Sequence, residues 1–405
     1  MSTTGETTHS TSIEAPATAA SADPEAAEGA AAAAFADRIM GATLGWFDLM
    51  AIHLGSQLGW YAELARTDGL AATELAERTG SDARYAREWL EQQAASGILR
   101  VREAGDLAAR PLVAAADIET VAQSTSGVAD SASDRRFLLA PGVAEVLLDH
   151  RSLSFLEPLA RMAAASAVQL DALVEVYRSG GGVSWEQLGR HAREAQADMN
   201  RPWFDRLPDV VAGIERVDEV LRRPGARIAD LGSGGGWSSI ALARAYPDLH
   251  VVGFDIDQPS VEAARRNAAA AGVEDRVQFL LRDAAQVSAE GPFDGVFAFE
   301  CLHDMPHPVQ VLTAARQAVT ADGFVVIMDE AAQERFAPNA GDLERLLYGF
   351  SLFVCLPDGM SHQPSAGTGT VMRPATLRDY ARAAGWSDIR VVVPEFGLWR
   401  FYELV

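Results

Sequence analysis

Lysine is missing from this 405-residue chain; all 34 basic residues are arginine. Schiff-base and lysine general-base chemistry are therefore excluded on it. Cysteine is scarce too, and Cys301 and Cys355 cannot make a disulfide framework, which fits a reducing cytoplasm. No apolar run reaches membrane-spanning length, so no membrane partner is expected. Positive charge is in deficit: the formal net charge of −22 would repel phosphate backbones and acidic membrane surfaces. Residues 1–33 have almost no large apolar side chains and are expected to be a disordered tail. They also lack the basic start and apolar middle of a secretory signal, so cytoplasmic residence is expected.

What is present begins at 34. Phe35, Ile39, Trp46, Phe47, Leu49, Met50, Leu54 and Leu58 form a wide apolar stripe on a helix that needs a partner surface. Two helix patterns follow, with Thr73 and Ser81 as N-caps and Gly80 and Gly97 as stops. "ILRV" and "RRFLLA" then read as the strands of a wing around a long Ala-, Ser- and Asp-rich insertion. Residues 34–140 are thus expected to be a winged-helix unit. Groove reading by its second helix, through Arg84 and Arg87, competes with a role in dimerisation and substrate capping. Thirteen acids against nine arginines between Trp60 and Ala140 favour the second, hence a homodimer and no nucleic acid. Residues 141–215 look like a helical connector broken at a triple glycine, with Pro202 in a first turn of a reopened helix.

From 216 to 405 apolar strands alternate with helices. "ARIADLG", "LHVVGFD", "VQFLLRDA", "FDGVFAFE", "GFVVIMDE", "DIRVVVPE" and "WRFYELV" give a seven-stranded, doubly wound α/β sheet of Rossmann-like type with a reversed final hairpin. Ligands of such sheets bind at the carboxyl ends of the strands. The first exit loop is "DLGSGGG", where Gly232, Gly234 and Gly236 permit a tight turn and close backbone approach. Trp237 stands where a dinucleotide fingerprint needs glycine. Asp230 puts a carboxylate under the loop for a cationic amino-acid end, directly or through water. Asp255 can accept from two ribose hydroxyls, and Asp283, followed by Ala284, from an adenine amino group. Asp255 or Asp257 could instead terminate a strand, and Asp283 could be a solvated turn residue. The fourth strand ends in "FAFECLHDMPHP", which places Glu300, Cys301, His303 and Asp304 beside that loop. His303 is suited to act as a base near neutrality with Asp304 in support, or to pack as a hydrogen-bonded imidazole. A zinc pair of His303 and His307 is disfavoured by the intervening Pro306, and no metal is expected.

These residues resemble class I S-adenosylmethionine-dependent methyltransferases, and the chain from about 35 resembles a bacterial subgroup with an N-terminal winged-helix dimerisation domain, similar to small-molecule O-methyltransferases. The resemblance implies S-adenosylmethionine as cofactor, with Asp230, Gly232, Gly234 and Gly236 at its methionine end, Asp255 at the ribose and Asp283 at the adenine. It also implies that His303 deprotonates an acceptor hydroxyl; Met305 departs from the aromatic usual after the His-Asp pair. The region "ERLLYGFSLFVCLPDGMSHQPSAGTGTVMRP" resembles the subgroup's substrate cover. Tyr348, Phe350, Phe353, Met360 and Met372 could wall an acceptor and His362 meet its polar groups, or the apolar ones could be core. Arg373 could pair with an acceptor carboxylate or hold its own loop. Methyl transfer to a hydroxyl of a secondary metabolite is the leading expectation. N-methylation or cofactor-assisted chemistry without methyl transfer, and a transcription regulator that senses the cofactor, are the alternatives.

Overall fold

The computed structural model describes residues 24–102 and 135–405, so the start of the tail and most of the wing insertion lie outside the described residues. The chain divides into two units, residues up to Asp48 and residues from Leu49 on. The first is the larger part of helix α1 (Pro24–Gln57). This helix starts well inside the stretch expected to be disordered, because a run of alanines has the highest intrinsic helix propensity. Phe35, Ile39, Met40, Leu44, Trp46 and Phe47 on it are each 48–62% exposed.

The second unit opens with a winged helix. Helices α2 (Trp60–Ala65), α3 (Ala72–Thr79) and α4 (Ala83–Ala95) precede β1 (Leu99–Arg102), which pairs antiparallel with β2 (Arg136–Leu139) in the expected wing. The N-caps fall at Ala71 and Asp82 rather than at Thr73 and Ser81. Asp82 accepts from the Arg84 and Tyr85 amides, and Glu74 reaches back to the Ala71 amide, so the better acceptors decide the boundaries. The core of this part is Trp60, Tyr61, Leu64, Leu75, Trp89, Leu90 and Phe137. Its centre is Trp89, whose Nε1 donates to Ala51 O at 2.8 Å and whose ring lies 4.8 Å from Trp60 and 5.0 Å from Tyr61.

Next come α5 (Val143–Leu148), α6 (Glu157–Val168), α7 (Leu170–Ser179), α8 (Trp185–Phe204), α9 (Leu207–Ala212) and α10 (Glu215–Leu221). The glycine break falls between α7 and α8 as expected, and Gly182 lies so close to the Pro357 carbonyl that a Cβ would stand 1.9 Å from it. Pro202 lies in the last turn of α8 and not in a first turn. Burial of Pro202 and Phe204 keeps this turn helical, and the break in α8 comes at Gly189 instead (φ 80°, ψ −165°).

The large sheet contains β3 (Arg227–Leu231), β4 (His250–Asp255), β5 (Val277–Leu281), β6 (Phe293–Phe299), β7 (Val319–Glu330), β8 (Ile389–Phe396) and β9 (Trp399–Leu404), in the order β5-β4-β3-β6-β7-β9-β8. The first five strands are parallel and β9 is antiparallel to both neighbours, which is the reversed hairpin. Between them run α11 (Trp237–Ala245), α12 (Gln258–Ala271), α13 (Pro308–Ala318), α14 (Asp342–Phe350), α15 (Leu356–Ser361) and α16 (Pro374–Ala383). Successive strand residues alternate between two cores: Phe297 and Phe299 join Phe324 and Phe401, while Val296 and Ala298 join Phe254 and Ile327. Each fully buried Phe contributes roughly 1.5–3 kcal/mol. Strand order reverses about β3, so a cleft opens at its carboxyl end. Among the described residues no helix is long and apolar enough to cross a membrane.

The packing at Trp89 gives a stability prediction. A Cβ on Gly55 would fall 2.3 Å from Trp89 Cζ2, whereas one on Gly349 in α14 meets nothing within 4 Å. Gly349→Ala should stabilise by up to about 1 kcal/mol through helix propensity. Gly55→Ala should instead destabilise by about 1–3 kcal/mol through overpacking, read as opposite shifts of the urea midpoint.

Candidate active site

The three loop glycines have different tasks. A Cβ on Gly232 would lie 2.8 Å from Cys301 Cβ and Sγ, and one on Gly236 would lie 2.5 Å from Phe279 Cζ. Both are glycine because the protein itself packs there. Gly234, at φ 49°, has open space where a Cβ would be, so it is the one that leaves room for a ligand. Its N–H donates to Asp255 Oδ2 at 2.8 Å, and Asp255 Oδ1 accepts from the Asp257 amide at 2.8 Å. Burial raises the Asp255 carboxyl against these hydrogen bonds.

Asp230 is 1% exposed, and its Oδ2 accepts from the Ser238 and Ser239 hydroxyls at 2.6 and 2.5 Å. Burial pushes it up to about 6. It therefore ties the loop to the start of α11, and its reach toward a ligand is limited to the unpartnered Oδ1. Asp257 caps α12 through the Ser260 amide and hydroxyl, and it forms a two-pronged ion pair with Arg193 at 2.8 Å. Asp283 is exposed at the end of β5; it caps the short turn that begins at the buried Ala284 by accepting from the Ala285 amide. One of its oxygens is so occupied.

His303 lies in the turn after β6 and is 2% exposed. Its Nδ1 is 2.9 Å from Asp329 Oδ1 and 3.1 Å from Glu330 Oε2, both at the end of β7, and Nε2 is 3.3 Å from Asp304 Oδ1. Burial would lower the ring's pKa, but Asp304, Asp329 and Glu330 together raise it well above the ordinary histidine value. Burial would raise Asp329, yet the facing ring and its hydrogen bonds hold that carboxyl below its usual range. Burial dominates at Glu330 and raises it well above the usual carboxylate range. Two sets of atoms are close enough to share a cation, His303 with Asp304 and Cys355, and His303 with Asp329 and Glu330. In the second set His303 Nδ1 lies 2.9 Å from Asp329 Oδ1 and 3.1 Å from Glu330 Oε2. His307 belongs to neither; it precedes α13 on the surface. Cys301 donates to Leu231 O at 3.0 Å, and burial raises its thiol, so it is a packing residue. Met305 approaches the position of a Gly232 Cβ to 3.5 Å and lines the same loop.

The expected acceptor residues divide. Tyr348 and Phe353 are 37% and 42% exposed, Phe350 packs against a core cluster, Met360 is half-buried and His362 is exposed after α15. Met372 does not join them: at 3% exposure it fills the core with Leu377 and Ala381, because the chain turns inward to start α16. Arg373 is held by Glu344 at 3.0 Å, the Gln333 carbonyl and the Tyr348 hydroxyl, so it secures its own loop.

Sequence reasoning missed α8. Arg193 binds Asp257, Ala197 meets Gly235, Asn200 donates to Glu300 Oε2 at 2.6 Å, and the Arg201 guanidinium stacks 4.1 Å over Trp237. The positions 193, 197, 200 and 201 follow a helical face, which was the available signal. Asp329 was missed because its partner is distant in sequence.

Comparison with known proteins accords with this geometry. Residues 222–355 match the family described as a methyltransferase domain, and residues 47–110 match the Rv2258c-like winged HTH domain. The 27-O-demethylrifamycin SV methyltransferase of Amycolatopsis mediterranei (strain S699) is 32% identical over 181 residues, 44% of this chain and 63% of that one. The ubiquinone biosynthesis O-methyltransferase of Xylella fastidiosa (strain M23) is 25% identical over 50% of this chain and 82% of its own length. This chain therefore spans less than the whole of these relatives. The mitomycin 7-O-methyltransferase MmcR has the same fold, with a TM-score of 0.62 at 22% identity over 94% of this chain and 99% of that one. PigF with bound SAH gives 0.63 at 17% identity over 90% and 98%. This chain accordingly carries a methyltransferase domain at 222–355 and an Rv2258c-like winged HTH domain at 47–110.

Proposed function

We propose that this chain transfers a methyl group from S-adenosylmethionine to a small-molecule acceptor, at a hydroxyl oxygen, with His303 as general base. The observation that carries the reading is the His303–Asp329 pair, set at the end of β6 beside the glycine loop of β3. The O-methylating relatives support the acceptor atom.

The residues fit the cofactor. Gly234 leaves space beside the Asp255 carboxylate, which suits a ribose, and Asp283 stands at the next strand end for an adenine amino group. Arg201 has a buried, unpartnered Nε and lies over Trp237 at the start of α11, which suits a carboxylate. When bound, the cofactor supplies an electrophilic methyl group on a cationic sulfur. The protein then has to position the acceptor and take its proton. With Nδ1–H directed at Asp329, Nε2 is the nitrogen that receives the proton, and Asp304, 33% exposed beside it, supports the charged ring. Tyr348, Phe353, Met360 and His362 border the acceptor.

In this reading residues 34–140 form the dimerisation domain, 141–215 the connector and 216–405 the catalytic domain of a cytoplasmic homodimer that binds no nucleic acid. The exposed apolar stripe of α1 supports self-association. Arg84 and Arg87 pair with Glu88 and Glu91 one turn on, which supports the absence of groove reading.

Three measurements test this. Incubation with S-adenosylmethionine and phenolic acceptors should add one methyl group by mass, and His303→Gln should lower kcat by about 10²–10⁴-fold with little change in cofactor affinity. In wild type the rate should rise with pH through an apparent pKa above that of free histidine, since only the deprotonated ring can act. Asp329→Asn removes an acid that raises that pKa, so the limb should move to lower pH as the maximal rate falls; an unmoved limb sinks the base assignment. Light scattering should give a dimer that Ile39→Arg with Phe47→Arg converts to monomer.

A further inference from the structure

Beside the pair just described lies a second polar contact that the proposed proton transfer does not use. Glu300 closes β6 in a left-handed conformation, φ 51°, which costs a non-glycine residue of order 1 kcal/mol and persists only where its surroundings enforce it. They do so from two sides. Its amide donates to Met328 O at 2.7 Å, and its Oε2 accepts from Asn200 Nδ2 at 2.6 Å. The neighbouring Cys301 packs under Gly232, so Glu300 is held next to the glycine loop. Part of the residue stays accessible, while burial of the carboxyl pushes it up to about 7.

The contact is unbalanced. Asn200 is 8% exposed, and its Oδ1 is buried and meets no donor. The Trp399 indole N–H lies near the Glu300 carboxyl without making a hydrogen bond of ordinary geometry. A carboxylate and an amide oxygen therefore share one spot, with a single amide donor between them. An orphaned acceptor at that depth costs about 1–3 kcal/mol unless a donor reaches it. One side of the spot is the glycine loop, since Cys301 after Glu300 packs under Gly232. Two acceptors at one place suit an ammonium, which has three hydrogens to give, while Arg201, over Trp237 at the start of the helix after that loop, suits a carboxylate.

We infer that Glu300 and Asn200 Oδ1 together bind the α-ammonium group of the cofactor's methionine end. This rests on the cofactor reading above and supplies the partner that Asp230, enclosed by Ser238 and Ser239, is poorly placed to be. Glu300 is thus a binding residue and His303 the base, although the two lie three residues apart.

Calorimetric titration of the full chain with S-adenosylhomocysteine and with its desamino analogue, hydrogen replacing the α-amino group, tests the assignment. Wild type should favour the parent by about 10- to 100-fold, the range for a charge-assisted hydrogen bond. Glu300→Gln should lose most of that preference and keep its affinity for the desamino compound within about threefold. Asn200→Ala should lose a smaller part, and it supplies the same comparison if Glu300→Gln does not fold. Equal weakening of both compounds by both variants, or an unchanged preference, overturns the assignment while leaving the cofactor reading intact. Failure of wild type to take up either compound overturns both.

Discussion

Everything at the carboxyl edge of the sheet depends on one face of α8. Arg193 is locked to Asp257 after β4, Ala197 rests on Gly235 after β3, and Asn200 reaches Glu300 after β6. Trp203, near the end of the helix, meets Phe396 and Trp399 at the terminal hairpin, edge to face at 5.4 and 5.5 Å. Four strand ends are thus registered by a single helix, and the bidentate Arg193–Asp257 pair, largely withdrawn from solvent, is the contact least free to slide. The sheet alone would leave those loops as independent turns. With α8 across them they become walls of one cleft, and a cofactor held between loop and helix would bridge the connector to the catalytic domain.

The charge state of that cleft is set by an excess of acid. Asp230, Asp255, Glu300, Asp304, Asp329 and Glu330 lie within a few residues of strand ends, with His303 as the facing titratable cation. Burial raises most of them, and only Asp329 is held low, because the imidazole opposite is the one compensation available. Such a site is costly until a cation enters it. A cofactor whose sulfur and ammonium are both positive relieves this directly. The positive sulfur would at the same time lower the proton affinity of His303, so the ligand that needs the base also helps to free it.

The sheet was legible because its signals are local. Seven apolar runs, a glycine loop and acids at strand ends each declare themselves within a few residues, and the strands appear where the runs are. The wing was readable for the same reason. Boundaries were less so: Thr73 and Ser81 are acceptable caps, but the Glu74 side chain and Asp82 make the better hydrogen bonds. At the site, the position of His303 could be read and its partner could not, since Asp329 is 26 residues away on another strand and only pairing of β6 with β7 brings them together. Met372 and Arg373 could each be read two ways for a related reason. Burial of one against α16 and the ion pair of the other with Glu344 depend on how the chain turns back.

On the winged helix the arginines of the second helix are spent within the protein. Phosphate contacts require cations whose charge is unspent. On α4 Arg84 faces Glu88 and Arg87 faces Glu91, and in the wing Arg136 is clasped by both Glu74 oxygens. Exposed pairs of this kind contribute only a few tenths of a kcal/mol each, so their acids are not there chiefly for stability. Their effect is to cancel the positive face that a groove-reading helix would present. On α1 the stripe from Phe35 to Phe47 is exposed, an apolar run of the kind that marks contact surfaces. In the proposed reading, a second helix whose arginines are paired and an exposed apolar helix both favour a second copy of this chain over nucleic acid.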